Sequence, residues 1–359
     1  MVLMKAVRIY GKKDVRVENI PIADPRDNQV QIKVKYCGIC GSDLHAYLEA
    51  WGLPTEPHPL TERTLPITLG HEFAGEVVKV GANVTTLKKG DAVAVEPLIA
   101  CGKCDNCRRG DYNFCNRVFA PDGAGNFLGF SDDGGFAEYA NVQEVFAHKM
   151  PAGMSYELGA LAEPTAVVFE GIKRSGLHEG QNVAVLGAGP IGLLTALLAK
   201  IAGADNIYII DVSKSRLAKA RELGIKKTLD PLKVDVVEEV KKDCPNGVDI
   251  TFEAAGVQAT FDSGLKLTRR NGTFQIVALF GRPVTIDLTN DLIMNGIKIE
   301  TTLAYNNSFT SVLGMLKNHP ELFEKIITKK IGLDDVVEEG IKTLAFDKEQ
   351  VKILVSPEK

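Results

Sequence analysis

The chain has 359 residues, 45% of them hydrophobic and 25% charged, with a formal net charge of −4. That length suits about two globular domains, and basic residues run no further than pairs such as "RR" and "KK", so nothing resembles an electrostatic footprint for nucleic acid. No run approaches the roughly 18 apolar residues of a bilayer span, and the start "MVLMKAVRIY" has neither an apolar h-region nor a small-residue cleavage site. The expectation is a cytoplasmic protein whose partners are small molecules, with no membrane and no nucleic acid.

From about residue 5 to 150, short β-rich runs ("QIKVKYCG", "FAGEVVKVG", "DAVAVEPL", "GGFAEYANV") alternate with Gly, Pro, Asn and Asp, which predicts a small antiparallel barrel. Inside this half, "CGKCDNCRRGDYNFC" spaces Cys101, Cys104, Cys107 and Cys115 by two, two and seven residues. Two-residue gaps let neighbouring thiolates converge on one ion, and four of them close a tetrahedral zinc shell with no position left for substrate. The last gap does not fit a bacterial iron–sulfur spacing, and four unligated cysteines seldom cluster this way. The lobe at 101–115 is therefore expected to hold a structural zinc, and the chemistry must lie elsewhere.

From about 165 to 300 the pattern changes. Strand candidates "NVAVLGAG", "NIYIIDVS", "VDITFEAAG" and "TFQIVALFG" alternate with helical stretches such as "GLLTALLAKIAG" and "SRLAKARELG", the layout of a doubly wound parallel sheet. The first turn is "GAGPIG", with Gly187, Gly189 and Gly192 between a strand and a helix, and Asp211 ends the next strand. This is the dinucleotide-binding fingerprint in its proper context. Gly187 permits the tight turn, Gly189 the approach of a pyrophosphate, and Gly192 close helix–strand packing. Pro190 and Ile191 complete the turn, and Arg216 joins the candidate cofactor-binding set. Asp211 can accept hydrogen bonds from the adenosine ribose and would repel a 2′-phosphate, so NAD is expected rather than NADP.

A nicotinamide cofactor needs a site that polarises the substrate. Cys40 in "YCGICGSDLHAY" and His71 in "TLGHEFAGEVVKVGANV" both lie beside glycines and are good zinc ligands.

"GHEFAGEVVKVGANV", with "CGICGSDLH", the four-cysteine lobe and "VLGAGPIGLL" in the same order, resembles the zinc-containing alcohol dehydrogenases of the medium-chain dehydrogenase/reductase family over nearly the whole chain. The resemblance implies an α/β protein: a GroES-like β-barrel catalytic domain over 1–164, a Rossmann NAD-binding domain over 165–304, and a C-terminal segment, 305–359, returning to the catalytic domain. It also implies that Cys40 and His71 bind the catalytic zinc with Glu72 beside it. The third ligand of the long-known alcohol dehydrogenases of the family is a cysteine; here "GALAEPTAV" offers Glu163, as in the polyol dehydrogenase branch, so Glu72 or Glu163 completes the shell, Glu163 binding directly, through water, or in exchange with Glu72. Asp43 looks like the residue that orients His71. Ser42 would take the substrate proton and pass it through the nicotinamide ribose to His45, and Ser42 could also serve as an N-cap of α-helix starting near Asp43.

Within the family, the insert "EAWGLPTEPHPLTERTLPITLGHE", "ALAEPTAV" and "DKEQVKILVSPEK" look most like the 2,3-butanediol dehydrogenases, or acetoin reductases. This implies an alcohol, diol or ketone substrate, with sorbitol-type polyol, L-threonine and aldose dehydrogenases as alternatives. A non-catalytic, zeta-crystallin-like protein would lack the Cys40/His71 pair or the glycine fingerprint, and both are present. Exposed apolar strands expected late in the cofactor domain, "TFQIVALFG" and "GIKIETTLA", suggest, by family analogy, a homodimer or homotetramer.

Overall fold

The structure, a computed structural model, describes residues 2–118, 126–347 and 349–359. It divides into one unit of residues 1–164 plus 306–359 and a second of residues 165–305.

The first unit carries strands β1 (Leu3–Gly11), β2 (Asp14–Pro21), β3 (Gln29–Gly38), β4 (Ile67–Thr68), β5 (Glu72–Val80), β6 (Ala92–Val95), β7 (Tyr139–Gln143) and β8 (Ala147–Lys149). Three helices matter to the site: α1 (Gly41–Glu49) follows β3, α2 (Asp105–Arg109) lies in the cysteine lobe, and α3 (Tyr156–Ala160) follows β8. β3 is the hub, pairing antiparallel with both β5 and β7, and its Val30, Ile32 and Val34 are buried in one cluster with Phe73, Val77 and Phe136. Alternation along β3 turns those three side chains to one face, which is why a half-buried antiparallel sheet reads with period two.

α4 (Ala162–Ser175) starts in the last residues of the first unit and continues as the opening of the second, which holds β9 (Val183–Leu186), α5 (Pro190–Ile201), β10 (Ile207–Ile210), α6 (Lys214–Glu222), β11 (Lys227–Leu229), β12 (Val248–Glu253), β13 (Thr268–Ile276) and β14 (Lys298–Thr301). The strands pair in parallel in the order β11-β10-β9-β12-β13-β14. β9 is buried at every position, as parallel strands covered on both faces must be. The order reverses direction at β9, between β10 and β12, and the carboxyl ends of strands at such a reversal form the usual crevice for a dinucleotide.

The chain then returns to the first unit. β15 (Ile327–Ile331) and β16 (Lys352–Val355) add to its large sheet, β16 pairing antiparallel with β3 and in parallel with β15. The barrel sheet is thus completed by the far end of the chain, outside the stretch where its pattern is visible.

Of the two apolar strands expected to be exposed late in the second unit, β14 lies at the sheet edge with Lys298 and Thr301 exposed, whereas the exposure expected of β13 is corrected. Phe274 and Gln275 of β13 are fully buried, and the exposed apolar side chains, Leu279, Ile293 and Met294, follow that strand in the connection to β14. Hydrophobicity alone cannot separate an interior strand from an apolar loop.

Candidate active site and metal centres

The glycine turn has the backbone its sequence demands. Gly187 sits at φ +99°, a region costly for any residue with a Cβ. A Cβ on Gly192 would lie 1.8 Å from the Gly187 carbonyl oxygen, so the first turn of α5 packs against the strand end with no room for a methyl group. Gly189 is the N-cap of α5 and Pro190 its first residue, with Ile191 next, leaving the helix N-terminus open to an anion. Asp211, just past β10, accepts hydrogen bonds from the backbone N–H of Ala188 and of Ser213, both at 2.7 Å. Arg216 on α6 reaches to 4.0 Å from the Asp211 carboxylate. Its Nη1 lies 3.8 Å from where a Cβ on Gly189 would stand, and its Nε is buried without a protein partner. A cradle of glycine backbone with an unpartnered guanidinium nitrogen fits a phosphate-bearing cofactor.

The four lobe cysteines bring their sulfurs within 4.8 Å of one another. Cys104 is 3.4 Å from Cys107 and 3.9 Å from Cys115, and Cys101 is 3.9 Å from Cys107. Backbone N–H groups point at the sulfurs: Lys103 and Cys104 donate to Cys101, and Asn116 to Cys104. The N–H groups of Cys107 and Asn116 lower the Cys104 thiol to about 6, whereas burial and its neighbouring sulfurs push Cys107 up to about 12. Four thiols at this spacing cannot all ionise without a cation between them. The donor set, all sulfur and closed, fits a structural zinc.

The second constellation grows from the end of β3 and the start of β5. Cys40 is the N-cap of α1, and the Asp43 carboxylate accepts from the Cys40 backbone N–H at 2.9 Å. The helix therefore begins at Gly41, and Ser42 lies inside its first turn; the reading of Ser42 as N-cap is corrected, because the capping residue has the extended backbone that Cys40 shows. Ser42 is half-buried and His45, three residues on, is exposed, its ring 3.5 Å from Glu49.

Cys40, His71 and Glu72 bring one donor atom each within 4.8 Å of one another. Asp43 is fully buried, and its Oδ1 faces His71 Nδ1 at 3.9 Å, neither atom having a hydrogen-bond partner. Burial alone would hold the His71 imidazole neutral. Its hydrogen bond to Cys40, then the charges of Cys40, Asp43 and Glu163, outweigh that and raise it to about 10. The site thus gathers a thiol and carboxylates around one imidazole and calls for a cation, which fits a zinc ion on Cys40 and His71 with a carboxylate. Glu163, buried in the first turn of α4, is not one of the three grouped residues, although its charge is felt by both His71 and Lys352. Phe130 and Phe127 lie against His71, with ring centroids 5.5 and 6.2 Å away.

Lys352 was not visible as a site residue in the sequence. It is 1% exposed, and its Nζ donates to both Glu72 oxygens at 2.8 and 2.7 Å and to the Ile39 carbonyl at 3.0 Å. Burial disfavours its charge, but the charge and hydrogen bonds of Glu72, with the charges of Cys40 and Glu163, together outweigh this and hold its pKa above the ordinary lysine value. The only signal was one lysine inside the apolar run "VKILV". A lysine within a fully buried strand needs a counter-charge.

Residues 26–152 match the family "Alcohol dehydrogenase GroES-like domain", and residues 190–318 match "Zinc-binding dehydrogenase". The chain is 42% identical over 358 residues to (R,R)-butanediol dehydrogenase of Bacillus subtilis (strain 168), covering 99% of this chain and 100% of that one. It is 33% identical to the sorbitol dehydrogenase of the same organism, covering 99% and 97%. The X-ray structure of 2R,3R-butanediol dehydrogenase from Bacillus subtilis superposes with a TM-score of 0.91, covering 99% of each chain at 42% identity. With matched domains on both halves and a relative this similar along its whole length, the chain belongs to the zinc-containing alcohol dehydrogenase family.

Proposed function

We propose that the protein oxidises butane-2,3-diol at an R-configured carbinol to acetoin with NAD, and with NADH reduces acetoin to the diol and diacetyl to acetoin. The observation that carries the substrate is the full-length likeness, at 42% identity, to an (R,R)-butanediol dehydrogenase. The choice of NAD rests on Asp211, whose carboxylate at the strand end would repel a 2′-phosphate.

When bound, zinc supplies Lewis acidity at the substrate oxygen and NAD supplies the hydride acceptor. Cys40 and His71 hold the metal, with Glu72 or Glu163 as its carboxylate, and Asp43 faces the imidazole from behind. Ser42, in the first turn of α1, takes the proton from the substrate hydroxyl, and exposed His45 on the same helix releases it to water. Glu72 and Glu163 make the surroundings carboxylate-rich, and a site that hydrogen-bonds the neighbouring hydroxyl or ketone disfavours simple alcohols. Arg216, Gly187, Gly189, Pro190, Ile191 and Gly192 hold the cofactor, and the lobe cysteines hold a structural zinc.

We place the protein in the cytoplasm as a homodimer or homotetramer. Exposed Leu279, Ile293 and Met294 support self-association, and among the described residues no helix is long and apolar enough to cross a membrane. The test is one panel of NAD(H)-coupled assays across butane-2,3-diol, sorbitol, L-threonine, glucose and ethanol. Butanediol should give the highest kcat/KM and ethanol a far lower one, and Cys40→Ser or zinc chelation should abolish both directions. Sorbitol ranking first would move the assignment to the polyol dehydrogenases, to which the chain is also similar.

A further inference from the structure

We infer that the buried carboxylate of Glu253 is a specificity-determining charge for the redox state of the cofactor: it favours the cationic ring of NAD+ over the neutral ring of NADH. The inference rests on the reading of the glycine turn as the seat of NAD.

Glu253 ends β12, which pairs with β9 on the side away from β10. In a fold built of two mononucleotide-binding halves, Asp211 past β10 takes the adenosine half, so the nicotinamide falls to the half made of β12, β13 and β14. The turn that follows Glu253 stands at the crevice. A Cβ on Gly187 would lie 3.0 Å from the Ala254 carbonyl oxygen, and a Cβ on Gly256 would lie 2.4 Å from that of Leu279, so the turn is wedged between the glycine loop and the end of β13.

The Glu253 side chain is fully buried, and its partners are all neutral. Oε1 accepts from the backbone N–H groups of Ala255 at 3.0 Å and Gly256 at 2.9 Å and from the Thr260 hydroxyl at 2.7 Å, while Oε2 accepts from the Gly256 N–H at 3.1 Å. Burial pushes its pKa above the ordinary glutamate value, the three donors oppose this, and no charged side chain acts on it. Asp211 and Asp249 in the same unit each have an arginine, whereas Glu253 has no ion-pair partner among the described residues. Holding the turn needs only an acceptor oxygen, which a neutral amide of the same shape also offers. The negative charge is surplus to that task. NAD+ and NADH differ in charge only at the nicotinamide ring, and the field of a buried charge is weakly screened, so Glu253 stabilises the oxidised cofactor and favours the direction of alcohol oxidation.

The test is equilibrium binding without substrate, in mildly alkaline buffer, with NADH followed by its fluorescence and NAD+ by calorimetry. The quantity read is the ratio Kd(NADH)/Kd(NAD+). Glu253→Gln keeps the accepting oxygen and removes the charge, and it should lower this ratio about three- to tenfold, the scale of one partly screened charge. Glu253→Asp should keep the native ratio even where its shorter side chain loosens the turn and weakens both nucleotides. If Glu253→Gln weakens both equally or changes neither, the carboxylate only builds the turn and the proposal is overturned. Should that variant not fold, Val257→Lys decides. Val257 is half-exposed at the N-cap of the helix Gln258–Leu267, beside the same turn. A cation there must lower the ratio, because its pull on the phosphates is common to both nucleotides, and an unmoved ratio overturns the proposal equally. A native protein that binds neither nucleotide would refute the NAD reading itself.

Discussion

The carboxylate of Asp211 accepts a hydrogen bond at 2.7 Å from the backbone N–H of Ala188, inside the glycine turn. One residue thus ties the end of β10 to the loop expected to cradle the pyrophosphate, and in the proposed reading the same carboxylate accepts from an adenosine ribose. Asp211→Ala should raise KM for NAD by about tenfold, the equivalent of one hydrogen bond of roughly 1.4 kcal/mol, and narrow the preference over NADP. Steady-state kinetics with both cofactors measure this, and a native enzyme that prefers NADP would refute the assignment.

Gly192→Ala tests the turn from the other side. With the Gly187 carbonyl 1.8 Å from the new methyl position, backbone rather than a flexible side chain must move. A loss of about 1–3 kcal/mol in unfolding free energy is expected, together with weakened NAD binding by fluorescence titration. Native stability and affinity would show that the helix can slide without cost.

In the lobe, Cys104→Ser should remove about one zinc per chain and lower the Tm, because closed zinc sites contribute their binding energy to folding. The folded remainder should still bind NAD, since the glycine turn belongs to the other unit. Metal analysis alongside differential scanning fluorimetry reads both effects. A variant with its full zinc complement and unchanged Tm would deny the lobe its structural role.

Asp249 offers a pH-dependent test of the second unit. It accepts from the Asn182 backbone N–H at 2.8 Å and from Arg269 Nε at 2.7 Å. Burial pushes its pKa up, but these two donors outweigh it and hold the pKa below the ordinary aspartate value. A carboxylate with a lower pKa folded than unfolded binds fewer protons when folded. Its stabilisation is present above the unfolded value of about 3.9 and is lost as pH falls through the lower folded value. Arg269 is 36% exposed, so Asp249→Asn should cost about 1 kcal/mol or less at pH 7. Urea unfolding of both proteins should show that difference shrinking below about pH 4; a gap that widens in acid would reverse the assignment.

Much of the molecule was determined locally. The lobe cysteines and the glycine turn are each fixed by short spacings, because a tetrahedral thiolate shell and a tight strand–helix turn require particular residues a few positions apart, whereas Cys40 and His71 stand out through the two segments that carry the family resemblance. Short strands buried throughout, such as β9, were legible for the same reason: their environment is nearly uniform along their length.

Tertiary structure alone decided what depends on distant partners. That apolar residues such as Leu279 and Met294 lie outside the strands, while Phe274 is interior, was set by which chain segments cover the sheet. Above all, Glu72 reads in sequence as a carboxylate beside a metal-binding histidine, and Lys352 as an odd lysine 280 positions away. Only the pairing of β16 with β3, and β3 with β5, brings the two together. A buried charge is stabilised by whatever the fold places within about 3 Å of it, and no local spacing encodes a partner at the opposite end of the chain.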